Sequence, residues 1–294
     1  MGVALAVDIG GTKLAAALVD EDGAVVPTSA RSVPTPRGGD ADVLFGVLAG
    51  LVDAVVDACA YEIDVCGVGC GGPMAPGGEH VSPLNIPAWR GFPLRDRLAT
   101  HLALPVHVDN DAKALALGEG WVGAARGEHS FLAMVVSTGV GGGIVLNGRL
   151  LEGALGNAGH IGHVIVEPGG LLCACGARGC LEAEASGTAI RTITGRAPAD
   201  APEPIRTRTG RLVGRAVASV ANLLDLRLAV VSGSVALGYG SDFFGAAQDE
   251  LDRSARLDYS RGTRIIPGAL GPYGPLVGAA AVGWRALGRN IGIS

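Results

Sequence analysis

"VALAVDIGGTKLAAALVDEDGAVV" (residues 3–26) decides how this chain is to be folded. Two apolar runs flank a Gly-Gly turn, and "DEDG" closes the second run. The pattern predicts strand, turn, strand, tight turn and a third strand at the end of the stretch. A dinucleotide-binding βαβ unit would place a helix directly after its first glycines, so a second strand there argues against one. The device returns at "SFLAMVVSTGVGGGIVLNGRLL" (residues 130–151), about 130 residues further on. Two copies of one strand-turn-strand motif predict a duplicated architecture of two similar α/β lobes.

Between and beyond the copies, the periodicities alternate. Residues 40–60 and 210–226 carry apolar residues at helical spacing. "VCGVGCGGP" (65–73) reads as a buried strand ending in a glycine turn, and residues 104–125 as a strand followed by a helix. Residues 228–236 read as a strand plus turn, and 274–287 as a final helix. "TGRAPADAPEPIRTRTG" (194–210) is the clearest polar, proline-rich stretch and is expected to be a surface loop. The lobe boundary is expected near residue 112. This gives a small lobe over 1–112 and a large lobe over 113–282, with a C-terminal helix over 283–294 packing back on the small one.

The 294 residues are 48% hydrophobic and 17% charged, enough to bury a sizeable core and against disorder. A net charge of −5 offers no basic footprint for nucleic acid or an anionic membrane. No apolar run reaches the length of a membrane span, and the opening residues lack the basic start of a signal peptide. A cytoplasmic protein is expected. Of six cysteines, Cys59, Cys66 and Cys70 stand apart and read as small apolar core residues, whereas Cys173, Cys175 and Cys180 are clustered.

Three stretches carry chemistry. In "DIGGTK" (8–13) the glycine turn offers backbone N–H groups to phosphate oxygens. Asp8 would repel phosphate, so its natural task is to hold a hydrated magnesium ion. Alone, this could be an ordinary hairpin; the second copy, "STGVGGG" (137–143), suggests a nucleotide clamp. In "VDNDAKA" (108–114) an aspartate at a strand end is either an ordinary helix cap or a base that takes a hydroxyl proton during phosphoryl transfer. His163, Cys173, Cys175 and Cys180 form His-x9-Cys-x-Cys-x4-Cys. Three thiolates and an imidazole suit a closed, structural tetrahedral zinc site.

In this order, "DIGGTK", "GVGCGGP", "NIPAW", "VDNDAKALALGEG", "STGVGGGI", "GNAGHIGH", "CACGARGCLE" and "SGSVA" resemble the ROK family of sugar kinases and repressors, across essentially the whole chain. The resemblance implies a two-lobed, actin-like (hexokinase-type, ribonuclease-H-like) α/β ATPase fold with a zinc-binding insert. It also implies ATP-dependent phosphorylation of a hexose, usually at its 6-hydroxyl, with Mg2+, and a homodimer. By position, Asp111 becomes the general base and Asn110 its sugar-contacting neighbour. Asp8, Gly10, Gly11, Thr12, Lys13, Thr138 and Gly139 fall on the ATP phosphates and their metal, and Gly233 beside the adenosine. Gly71, Gly72 and Asn85 line the sugar side. His163 ligates zinc and touches the sugar, and Glu182 meets hydroxyls near C1 and C2.

The chain departs from the family pattern at His160, where a glutamate accepting from hydroxyls at C2 and C3 is usual. Gly71 replaces a common proline, and "SGSVA" and "GPYGPLVGAA" are altered too. The substrate is therefore expected to be glucose or an amino-hexose such as kanosamine. A DNA-binding repressor is not expected, because "DIGGTK" begins at residue 8. A non-catalytic sugar sensor is the alternative, against which stand Asp111 and both phosphate turns.

Overall fold

A computed structural model describes residues 2–36 and 38–294. The chain begins β1 (Val3–Ile9), β2 (Lys13–Asp20), β3 (Arg31–Pro34), α1 (Ala41–Val56), β4 (Ile63–Cys70), α2 (Leu94–Leu102), β5 (Val106–Asn110) and α3 (Asp111–Trp121). It continues β6 (Phe131–Val136), β7 (Val140–Leu146), β8 (Arg149–Leu150), α4 (Leu181–Ala185), α5 (Gly187–Thr194) and α6 (Glu203–Leu224). The last elements are β9 (Leu228–Ser232), α7 (Ser234–Tyr239), α8 (Ser241–Ser254), β10 (Arg264–Pro267) and α9 (Gly274–Ala286). Two five-stranded sheets result, ordered β3-β2-β1-β4-β5 and β10-β9-β6-β7-β8. Two compact units form: one spans the chain to Gly127, Gly148–Ala158 and Leu270–Ser294, the other Glu128–Asn147 and Gly159–Ala269.

In the first unit β1 pairs antiparallel with β2, and β1, β4 and β5 run parallel. Their register aligns Asp8 with Gly69 and Gly69 with Asp109, so three strands end together. Alternating burial along β1 and β2 is absent because both faces are covered. Helix α1 lies on the apolar side through Leu44, Leu48, Val52 and Val55, and its N-terminus is capped by Asp40, which accepts from Val43 N at 2.8 Å. Helix α9 covers β4 at very close range: a Cβ on Gly67 would stand 2.0 Å from the Ala279 carbonyl oxygen. It meets α3 as closely, since a Cβ on Gly278 would lie 2.5 Å from the Ala114 oxygen. Trp284, fully buried, donates its ring N–H to the Asp20 carbonyl at 3.1 Å and fixes the helix along β2.

In the second unit β6 and β7 form the repeated hairpin, with Val136 opposite Val140, and β6 pairs parallel with β9. Helix α6 buries a stripe through Leu212, Val213, Ala216, Val217 and Ala221, and packs on α8.

The structure differs from expectation in four places. The third strand lies at β3, and the 24–26 stretch makes only the bridge between Val19 and Val25. Pro27 cannot donate, and Thr28 sits at a left-handed φ of 63°, so pairing resumes only at Arg31. Half of the proline-rich loop is helical, because α6 starts at Glu203. Pro202 and Pro204 occupy its cap and first turn, where no N–H is needed. The last helix is α9, which ends at Ala286, not a helix over 283–294. Gly288 at φ 74° stops it, and Ser294 instead hydrogen-bonds backbone to backbone with Gly148 and Leu150. The first unit runs past residue 112 and is discontinuous, because α3 packs on α9.

Replacing Gly67 by alanine drives a methyl group into the Ala279 carbonyl. We expect a loss of at least about 1–3 kcal/mol, the usual cost of overpacking, measured by urea unfolding. Gly46, which has no neighbour within 4 Å of its would-be Cβ, should tolerate the same change.

Candidate active site

The shared end of β1, β4 and β5 in the first unit is where parallel strands present ligand-binding groups. Asp8 reaches it from β1 and Asp111 from the first turn of α3. The Asp8 carboxyl is raised to about 7 by burial and by the neighbouring Asp111 charge, against the pull of Lys13. Cys70, at the end of β4, has its thiol pushed well above its ordinary value by burial, then by Asp111 and Asp8. It is an inert thiol beside two carboxylates. Cys66 is likewise pushed up to about 12 by burial. An Asp8 carboxyl disfavoured as an anion by burial and by the Asp111 charge is suited to a neighbouring cation, so Asp8 fits the hydrated magnesium expected with a nucleotide.

Around these acids, Gly10 N donates to Lys13 O at 3.0 Å to close the hairpin turn, and Thr35 Oγ1 donates to Gly10 O at 2.6 Å. Thr12 and Lys13 are exposed. Asn85 lies directly on Gly11, where a Cβ would come within 2.8 Å of the Asn85 Cβ, and its Oδ1 is 3.7 Å from the corresponding point on Gly71. Gly72 O accepts from Leu84 N at 3.3 Å. Thus Gly10, Gly11, Gly71, Gly72 and Asn85 are brought together. Asn110 is the N-cap of α3: its Oδ1 accepts from Ala112 N at 3.0 Å and Lys113 N at 3.4 Å. Capping and sugar contact are compatible, since the amide nitrogen is not used by the cap. Asp111 accepts from Ala112 N at 2.8 Å through Oδ1.

The second unit builds the other turn. Ser137 N donates to Gly139 O at 2.9 Å, and Thr138 O accepts from Thr188 N at 3.2 Å and from Thr188 Oγ1 at 3.0 Å. The Ser137 and Ser234 hydroxyls are 3.0 Å apart, joining this turn to the β9–α7 turn. Gly233 there has φ 100°, and a Cβ would meet Val136 O at 2.3 Å, so only glycine fits. Glu182 Oε2 accepts from Val140 N at 2.9 Å and also lies against Gly139. The carboxylate expected on the sugar thus also braces the turn between β6 and β7.

His163, Cys173, Cys175 and Cys180 converge, their ligand atoms all within 4.8 Å of one another. Cys173 Sγ is 3.7 Å from His163 Nδ1, and Cys175 Sγ is 3.7 Å from Cys180 Sγ. A zinc tetrahedron with bonds of about 2.3 Å has edges of roughly 3.8 Å, so the four atoms fit that ion. Ligation through Nδ1 leaves Nε2 of His163 directed elsewhere. The His160 ring lies 6.1 Å from the His163 ring, inclined by 29°.

The sequence profile of the ROK family matches residues 4–282. The chain belongs to the ROK family. Within it, the chain is 36% identical over 256 residues to an N-acetylmannosamine kinase of Yersinia pseudotuberculosis, covering 82% of this chain and 86% of that one. Its structure matches a ROK family glucokinase from Streptomyces griseus, solved with glucose and AMPPNP, at a TM-score of 0.84 and 30% identity, over 97% of this chain and all 100% of the other. A ROK hexokinase from Thermus thermophilus matches at a TM-score of 0.80 and 32% identity, over 98% and 100% of the two chains. The two-sheet α/β fold of ROK hexokinases is thereby shown for this chain.

Sequence reasoning passed over Lys113. It is 1% exposed, two residues after Asp111, and its ammonium meets Asp109 at 3.0 Å, the Glu152 carboxylate and the Gly156 carbonyl at 3.2 Å. A lysine on the buried face of "DAKALAL" was the available signal, because an unpaired ammonium cannot be buried there.

Two outcomes follow from this chemistry. Between about pH 4 and pH 7 the folded chain holds an Asp8 proton that the unfolded chain releases, so this contribution to stability is full below that window and lost as pH rises through about 7. The melting temperature of Asp8→Asn should gain on the wild type from pH 5 to pH 8, and millimolar magnesium should narrow the gap at pH 8. Elemental analysis should find one zinc per wild-type chain and far less in Cys175→Ser, with a lower melting temperature.

Proposed function

We propose that this ROK protein is an ATP-dependent kinase that phosphorylates the 6-hydroxyl of an N-acylated amino-hexose of the N-acetylmannosamine kind. The observation that carries the kinase assignment is the pairing of Asp111 with Asp8 at the joint end of β1, β4 and β5. Asp111 takes the proton of the hydroxyl while the hydroxyl oxygen forms its bond to the γ-phosphorus of ATP. The bond from that phosphorus to the bridging oxygen breaks, and ADP leaves with the electron pair. The backbone N–H groups of Gly11 and Thr12, and those of Thr138 and Gly139, would meet phosphate oxygens, the Gly10 and Ser137 N–H groups being spent in closing the turns, with Gly233 beside the adenosine. Magnesium, when bound, neutralises phosphate charge. Zinc, when bound through Nδ1, fixes the His163 ring so that Nε2 is aimed at the sugar.

The sugar class rests on His160. A glutamate there only accepts hydrogen bonds and carries a fixed charge. Neutral imidazole offers one donor and one acceptor, which pairs with an acylamino group having both an N–H and a carbonyl. A protonated amine, as in kanosamine or mannosamine, would lose a favourable carboxylate partner. The 36% identity to an N-acetylmannosamine kinase points the same way. The likeness to a glucokinase supports glucose as the second candidate.

The test is a kinase assay across N-acetylmannosamine, N-acetylglucosamine, glucose, mannose, mannosamine and kanosamine, with the phosphorylated position read by NMR. N-acetylmannosamine should give the highest kcat/KM. Asp111→Asn should bind sugar but turn over roughly two to four orders of magnitude more slowly. His160→Glu should move the ratio of N-acetylmannosamine to glucose specificity by roughly tenfold or more toward glucose. Absence of ATP turnover on every sugar would favour a non-catalytic sensor, and preference for glucose in the wild type would overturn the sugar class.

A further inference from the structure

Residues 148–158 belong to the first unit although the chain on both sides of them lies in the second. The start of this strap is tied through Gly148 and Leu150 to the Ser294 backbone, and side chains hold it at two further places. At one, Lys113 on α3 donates to Glu152 and to the Gly156 carbonyl, while Arg285 on α9 meets the other Glu152 oxygen at 3.0 Å. Asp109 completes the charge balance, so the buried ammonium faces two carboxylates and a carbonyl. At the other, the Asn157 side chain is fully engaged. Its Oδ1 accepts from Met74 N at 3.3 Å, and its Nδ2 donates to Met74 O at 3.2 Å and to Leu155 O at 2.9 Å. Met74 directly follows the Gly71-Gly72-Pro73 turn, whose Gly71 faces Asn85, which in turn lies on Gly11.

A continuous path of contacts therefore runs from the first turn of α3, which carries Asp111, through Lys113, the strap and Asn157 to the loop assigned to the sugar. A side-chain amide that reproduces both hydrogen bonds of a β-ladder pair with one residue of another loop fixes that loop in two directions at once. Water could satisfy Met74 equally well energetically, but it would not fix a position. A buried charged clasp likewise adds geometric definition more than stability, because the desolvation of the lysine offsets much of the attraction.

We propose that Asn157 is a positioning residue for sugar binding. Anchored by the Lys113–Glu152 clasp, it sets the place of the 71–74 loop relative to Asp111 without touching the reacting atoms. This rests on the kinase assignment above for its kinetic consequence, but not for its structural one.

The experiment compares wild type, Asn157→Ala and Glu152→Gln. Both substituted positions are partly or fully exposed, so folded variants are expected. Hydrogen–deuterium exchange of the ligand-free proteins reads the structural step. Protection at Met74 and its neighbours in the 71–76 segment should fall at least tenfold in Asn157→Ala, and by less in Glu152→Gln. Steady-state kinetics read the functional step. The KM for sugar should rise roughly tenfold in Asn157→Ala, with the KM for ATP within twofold and melting temperature within a few degrees of wild type. Unchanged protection at 71–76 would overturn the proposal whatever the enzyme's substrate. So would a sugar KM within twofold of wild type, or a parallel rise in both KM values, which would indicate general loosening. A wild type without kinase activity, but with exchange altered as expected, would sink the kinase assignment and leave the anchor standing.

Discussion

Helix α9 can reach β4 only because Gly67 has no side chain, and it can cross α3 only because Gly278 has none. These two contacts, at would-be Cβ distances of 2.0 and 2.5 Å, bring three backbones closer than side chains ordinarily permit. The first-unit part of the candidate site depends on them. Helix α3 starts at the end of β5, so its placement against α9 decides where Asp111 stands relative to Asp8 on β1. Moving α9 outward by the thickness of one methyl group would shift α3 and separate the acids. Some of the chain's 48 glycines thus serve close packing.

The same economy governs the charged groups. Burial of Asp8 beside Asp111 disfavours its charged form, and the Lys13 charge offsets only part of that cost. Lys113 is the opposite case. Its partners Asp109 and Glu152 are in place in the protein itself, so it calls for no ligand. Two neighbouring clusters therefore differ: one sets a buried acid beside a second acid, and the other ties the 148–158 strap to α3. In the second unit Glu182 commits one oxygen to Val140 N and so braces the turn after β6.

Much of this was legible early. The repeated strand-turn-strand motif, the cysteine spacing and the acid at the strand end are local patterns, and each is set by residues close in the chain. The cluster of His163, Cys173, Cys175 and Cys180 in particular spans 18 residues, short enough for spacing alone to single it out. The misread segments have local causes as well. Prolines at 202 and 204 look like loop residues, although a helix accepts them in its first turn, and the third strand is displaced by the Pro27–Thr28 interruption.

By itself, then, the sequence determined the class of fold, the two glycine turns, the histidine–cysteine cluster and the acid at the start of α3, because all of these are written in periodicity and short spacings. Only the tertiary structure decided that Asn85 lies on Gly11, that Asn157 holds Met74 across 83 residues, and that Lys113 is a clasp. These contacts join segments whose sequences carry no mutual signal. A hydrogen bond between distant loops depends on where packed helices and sheets deliver them, and that placement is a property of the whole core.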